Sequence, residues 1–207
     1  DGYDVTVFDN LSRNGSKLNA AWLASVHGKA FRLLEGDVRD FRAVAEAVRG
    51  KDRIYHFAAQ VAVTTSVQDP RTDFEINALG TFNVLEAART VADHPVVLFT
   101  STNKVYGGME DVAIVESATR YEYRDFPDGI DESRPLDFHS PYGCSKGAAD
   151  QYVRDYYRIY DIPTIVFRMS CIYGTRQFGV EDQGWVAHFV ISAVRNRPIT
   201  IYGDGKQ

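Results

Sequence analysis

Short apolar runs alternate with amphipathic helical patterns along the whole chain, and no other feature restricts its fold as strongly. Residues 5–8, 30–36, 52–60, 96–100 and 164–168 read as strands, and residues 19–26, 73–90 and 150–160 read as helices between them. A strand that reaches the next strand only through a helix cannot form a tight hairpin with it, so the strands run parallel. The class this implies is α/β, with a doubly wound parallel sheet.

At 207 residues the chain can bury a substantial core, and 44% hydrophobic with 25% charged residues is the ordinary balance of a globular protein. A formal charge of −5 leaves no basic footprint for nucleic acid. No apolar run approaches the roughly 20 residues that span a bilayer, and no signal peptide is visible, so the expected compartment is the cytoplasm and no membrane partner is expected. Cys144 and Cys171 are too few for a disulfide framework and read as small buried fillers. No cluster with metal-ligand spacing is present, so no metal is expected.

The chemistry concentrates in Tyr142-Gly143-Cys144-Ser145-Lys146, preceded by Pro141 and, further upstream, by Ser101-Thr102-Asn103-Lys104-Val105-Tyr106-Gly107. Four residues apart on a helix, Tyr142 and Lys146 share one face. A free phenol has a pKa near about 10 and is a poor base at neutral pH; an ammonium one turn away favours the phenolate. A hydroxyl from Thr102 can bond the same substrate oxygen. That trio suits taking a proton from an alcohol while hydride leaves its carbon. His56, at the end of a strand, is read as a satisfied histidine rather than a base.

Tyr-x-x-x-Lys after Ser-Thr-x-x-Val-Tyr-Gly resembles the extended short-chain dehydrogenase/reductases, the NAD-dependent nucleotide-sugar epimerases and dehydratases. The resemblance covers essentially the whole chain and implies a Rossmann-type sheet with bound NAD. Gly-x-x-Gly-x-x-Gly is not present before the strand at residues 5–8, so the chain reads as a fragment. It would lack the first strand, the glycine loop and most of the C-terminal substrate domain. Residues 1–168 are then the NAD-binding part and 169–207 the start of the substrate-binding part. The opening residues 1–4 resemble the exit of a helix, and residues 204–207 a turn.

An acidic residue ending the second strand of such a unit can accept the adenine ribose hydroxyls and disfavours a 2′-phosphate. Asp9 stands there, beside Asn10, and from position alone it is equally a turn aspartate; Arg13 could tolerate a phosphate. The resemblance further implies that Asp37 and Val38 lie at the adenine and that Ala58 and Ala59 give close backbone approach. It brings Gln60, Thr100 and Met169 to the cofactor along with Tyr142 and Lys146, and has Asn77 brace the active-site backbone beside it. On the substrate side it implies Thr102, Asn103, Cys171 and Arg176.

Residues 61–70 read as a polar loop and 107–139 as an ordered insertion over the site. Within the family, 4,6-dehydratases usually carry Asp-Glu where this chain has Asn103-Lys104, which removes the acid and base an elimination needs. The strings at residues 101–107, 136–152 and 182–186 resemble the branch that epimerises CDP-linked sugars at C2, of the kind found in lipopolysaccharide O-antigen. Met169 and Cys171 depart from its pattern. A UDP-hexose 4-epimerase and a nucleotide-binding scaffold protein are the alternatives. The resemblance also implies a homodimer or homotetramer, formed across the helices at residues 73–90 and 150–160.

Overall fold

The computed structural model describes residues 2–206; the expectations placed on Asp1 and Gln207 lie outside them. The order is β1 (Val5–Asp9), α1 (Ser16–His27), β2 (Phe31–Glu35), α2 (Phe41–Val48), β3 (Arg53–His56), α3 (Val63–Gln68), α4 (Pro70–Phe74), a π-helical turn (Glu75–Leu79), and α5 (Gly80–Thr90). Then come β4 (Val96–Thr102), a 3₁₀ turn (Asn103–Tyr106), the hairpin strands β5 (Ile114–Glu116) and β6 (Tyr121–Tyr123), α6 (Ser140–Tyr160), β7 (Thr164–Met169) and α7 (Trp185–Val194). The long strands pair in parallel, as the alternation requires: β1 with β2 (Val5 opposite Phe31), and β3–β4–β7 (Arg53 opposite Val96, Val97 opposite Thr164).

Helices α2, α5 and α6 cover one face. Leu85 and Ala88 of α5, Val97 and Phe99 of β4, and Ala149, Val153 and Tyr156 of α6 form one fully buried cluster. Val44, Ala45 and Val48 of α2 pack on Val84 and Ala87 of α5 in a second. Burying a side chain such as Leu85 or Phe99 contributes about 1.5–3 kcal/mol, so these clusters hold the strand ends in place. Asp40 caps α2 as its position suggests, accepting from the amides of Arg42 and Ala43.

Two expectations need correction, the loop at residues 61–70 and the burial of the cysteines. Residues 61–70 are not a loop. They form α3, where Ser66 is fully buried with its hydroxyl turned back to the Val63 carbonyl, and Asp69 then caps α4. Strand β7 is the edge of its sheet and exposes Ile165 and Phe167 on the face opposite α6. Helix α1 buries none of its residues, and the Arg176 guanidinium lies over the Trp22 ring at 4.4 Å. Both cysteines are exposed rather than buried fillers. Cys144 sits two residues from Tyr142 on α6, about 200° round the helix at 3.6 residues per turn, and so faces away from the sheet.

The insertion at 107–139 is ordered around the β5–β6 hairpin. It is tied to residues 204–206, with Tyr121 donating its hydroxyl to Asp204 and Lys206 paired with Glu116. Among the described residues no helix is long and apolar enough to cross a membrane.

Candidate active site

The parallel strands end at two adjoining places. At the first, β1 delivers Asp9 and Asn10 and β2 is followed by Gly36, Asp37 and Val38. With Ala58 and Ala59 after β3 they line one cavity of about 210 Å³. Asp9 Oδ1 accepts from the Leu11 amide (2.7 Å), the turn role its position allows, while among the described residues nothing donates to Oδ2. Asp37 is held by Arg39 through two side-chain bonds (2.9 and 2.8 Å) and by Asn10 (3.1 Å). The guanidinium keeps its carboxyl far below the usual range. Arg13 lines the same cavity and reaches Gln183. A carboxylate oxygen for a vicinal diol and small Ala58 and Ala59 beside Val38 for a flat ring fit the adenosine end of a dinucleotide.

At the second place β4 ends at Thr102, and its pairing with β7 sets Thr102 opposite Met169, which is exposed. Helix α6 opens with Pro141 in its first turn, where a missing amide costs nothing, and carries Tyr142, Lys146 and Asp150 along one face at four-residue spacing. The Tyr142 amide donates to Ser66 Oγ (3.1 Å), which ties α3 to this turn.

Lys146 is buried and donates Nζ to the Thr100 carbonyl at 2.5 Å, with the ammonium 4.2 Å from the centre of the Phe99 ring. Burial brings its pKa down to about 8, against the pull of Asp150 and Asp73. The Tyr142 phenol moves the other way from the sequence expectation. Burial raises its pKa above the ordinary value, the Thr102 hydroxyl opposing the rise and Asp73 adding to it. Desolvation outweighs Lys146 here because the ammonium is directed at the Thr100 carbonyl rather than at the phenol.

Gln60 does not reach into open space. Its side chain donates to Asp73 Oδ1 (2.8 Å) and the Ala62 carbonyl, and its backbone is gripped on both sides by the Asn77 amide. Asn77, buried on the π-helical turn, is therefore a brace between that loop and α6, where it also bonds Ser145. His56 is buried, bonded to Thr81 (2.9 Å), and held neutral by desolvation: the bland reading is the right one.

The substrate-side expectations fare unequally. Thr102 is buried beside Tyr142, and Asn103 is exposed next to it. Cys171 accepts from the Trp185 indole (3.2 Å), and Arg176 is turned onto α1, bonding Asn19 (3.2 Å), so neither is brought to Tyr142 by a direct contact. Sequence reasoning missed Asp73, Ser66 and the Asp150–Arg168 pair. The last is bidentate at 3.0 Å, with Arg168 also on the Tyr106 hydroxyl (2.9 Å). The four-residue spacings Asp73–Asn77 and Lys146–Asp150 were the available signal. Among the described residues no group of three or more His, Cys, Asp or Glu is placed to hold a metal ion.

The sequence profile of the GDP-mannose 4,6-dehydratase family matches residues 1–207. The chain is 50% identical over 213 residues to the CDP-paratose 2-epimerase of Salmonella typhi, covering all of this chain and 62% of that one. Among solved structures it resembles a double mutant of DesIV, a dTDP-glucose 4,6-dehydratase from Streptomyces venezuelae with NAD and DAU bound (TM-score 0.75, 30% identity, 98% of this chain and 56% of that one). It also resembles a UDP-glucose 4-epimerase from Thermotoga maritima with UDP-glucose (TM-score 0.77, 26% identity, 99% and 59%). The chain thus spans about three fifths of the length of the relatives it matches.

Proposed function

The chain belongs to the GDP-mannose 4,6-dehydratase family, and from that premise we propose that its activity is NAD-dependent epimerisation of a nucleotide sugar, interconverting CDP-paratose and CDP-tyvelose at C2. The observation that carries this reading is the convergence of Thr102, Tyr142 and Lys146 at one strand end, in a chain half identical to a CDP-paratose 2-epimerase. Asp9, Asn10, Asp37, Val38, Ala58 and Ala59 hold the adenosine end of the cofactor, and Lys146 with the Thr100 carbonyl borders its other end. Bound there, NAD would supply the hydride acceptor and donor that oxidation and return at C2 need.

The chain’s own groups move and hold the proton. Tyr142 removes the proton of the C2 hydroxyl and later restores it; Thr102 hydrogen-bonds the reacting oxygen in both directions. The keto sugar presents its other face between the two steps. Asn103 and Lys104 beside Thr102 supply no carboxyl group, which counts against dehydration. Residues 1–168 carry the cofactor and 169–207 begin the substrate-binding part. A homo-oligomer would form across α5 and α6, where Phe82 and Tyr152 are exposed in an edge-to-face pair (5.9 Å). The proposed setting is the cytoplasm and the supply of O-antigen sugars.

A UDP-hexose 4-epimerase is the second reading, favoured by the likeness to the Thermotoga enzyme and served by the same three residues. Incubation with CDP-paratose in heavy water without added cofactor, followed by proton NMR, separates them. A C2 epimer free of deuterium at C2 is the expected product. Inert CDP-paratose with C4 epimerisation of a UDP-hexose would overturn the first reading in favour of the second.

A further inference from the structure

Behind the Tyr142–Lys146 turn lies a carboxylate that the proposed reaction does not use. Asp73 is 1% exposed, yet among the described residues it has no cation within salt-bridge reach. Its charge is met by three hydrogen bonds: Ser145 Oγ donates to Oδ2 at 2.5 Å, and Gln60 Nε2 (2.8 Å) and Asn77 Nδ2 (3.1 Å) donate to Oδ1. Ser145 stands between Tyr142 and Lys146 on α6, and Gln60 lies in the loop after β3, next to the cavity residues Ala58 and Ala59. One carboxylate therefore ties the helix that carries the proton-transfer pair to the loop that lines the adenosine cavity.

We propose that Asp73 is a positioning residue of this site: through Ser145 it locks the turn bearing Tyr142 and Lys146 against the cofactor-side loop, and its carboxylate couples to both side chains. The inference rests on the reading of Tyr142 as the proton-transfer group. Beside the hydrogen bonds, Asp73 raises the proton affinity of Tyr142 and Lys146, opposing for Lys146 the loss that burial imposes.

The other charged groups packed against the start of α6 are already committed or turned away. Arg168 is taken by Asp150 and Glu75 by Arg71; Lys104 is exposed, and His56 is neutral. Asp150, on α6 itself, acts on Lys146 but not on Tyr142. Of these groups, Asp73 is the carboxylate that acts on the phenol.

The test is a titration that does not depend on turnover. With tyrosines labelled at Cζ, the Tyr142 signal is assigned by its loss in Tyr142→Phe and followed with pH in the wild-type chain and in Asp73→Asn. The expected result is a downward shift of the Tyr142 titration in Asp73→Asn. An unchanged Tyr142 titration in folded Asp73→Asn overturns the proposal, since a merely structural role would lower the melting temperature and leave the titration alone.

Should Asp73→Asn fail to fold, the carboxyl carbon of Asp73 in the wild type carries the test: it should step at the pH where Tyr142 ionises, and the step should vanish in Tyr142→Phe. A flat signal refutes the coupling. Unimpaired epimerisation by Tyr142→Phe would instead remove the functional reading while leaving the measured coupling in place.

Discussion

His56 allows a sharp test because its protonation state follows from a chain of single protons. Thr81 spends its only hydroxyl proton on the Asn77 carbonyl (2.6 Å), so its Oγ1 must accept from His56, and Nε2 must carry the hydrogen. The ring is neutral, with the free lone pair on Nδ1, 4% exposed and stacked on Phe99 (5.5 Å). A second proton would have to enter that apolar site near the Lys146 ammonium, and burial first, Lys146 second, lower its pKa to about 3. The unfolded chain takes that proton near about pH 6.5. Below this value the unfolded state binds a proton that the folded state refuses, so folding stability falls as pH drops from about 6.5 towards 3.

Between pH 7 and pH 5 the loss works out at about 2 kcal/mol, from about 1.4 units at 1.36 kcal/mol each. This interval was chosen because any folded pKa below about 4 gives the same figure. His56→Gln keeps a donor for Thr81 and cannot titrate. Urea unfolding of both proteins at pH 7, 6 and 5 should show the wild type losing about 2 kcal/mol more than the variant, the carboxylates cancelling in the difference. Parallel pH dependence in the two proteins would refute a neutral, desolvated His56. It would also reopen the histidine as a candidate base.

The remaining expectations concern the two ends of the site. Tyr142→Phe should bind NAD with little change, by calorimetry, and turn over about two to four orders of magnitude more slowly in the CDP-paratose assay; near-normal turnover would end its assignment. Asp9→Ala should weaken NAD more than NADP in the same calorimetry, and equal losses would take Asp9 away from the ribose. Asp150→Asn leaves the Arg168 guanidinium inside the fold without its carboxylate, for a loss of about 3–5 kcal/mol in urea unfolding. The double change Asp150→Leu with Arg168→Met should recover much of it, and no recovery would place the penalty in packing instead.

What could be read from the sequence was set by local rules. Strand–helix alternation gives parallel pairing wherever it occurs, Asp40 precedes an apolar-periodic run and caps it, and the four-residue step from Tyr142 to Lys146 puts both on one face of α6. Small alanines after β3 and acids after β1 and β2 gather in one cavity for the same topological reason, since parallel strands end on one side. The failures are equally specific. Ser and Thr in residues 63–68 resemble loop composition, yet Ser66 belongs to a helix because its hydroxyl serves Val63 and the distant Tyr142 amide. Asp73 was missed because its partners Gln60 and Ser145 are 13 and 72 residues away, and no local pattern encodes them.

The largest departure, the direction of the Tyr142 pKa, shows why spacing alone does not give electrostatics. Helical spacing predicted the neighbour correctly, but an ammonium acts on a phenol only to the extent that it is aimed at it and charged. Lys146 spends its hydrogen bond on the Thr100 carbonyl, and the same burial that makes an unscreened charge effective also lowers its own proton affinity to about 8. Desolvation therefore works on both members of the pair towards their neutral forms, and Asp73 counteracts it for the lysine while reinforcing it for the phenol. A protonated phenol facing a protonated lysine is the resting arrangement this produces. Deprotonating Tyr142 then requires a further positive charge beside it or the turning of Lys146 away from Thr100, and either change lowers the phenol only when a ligand completes the site.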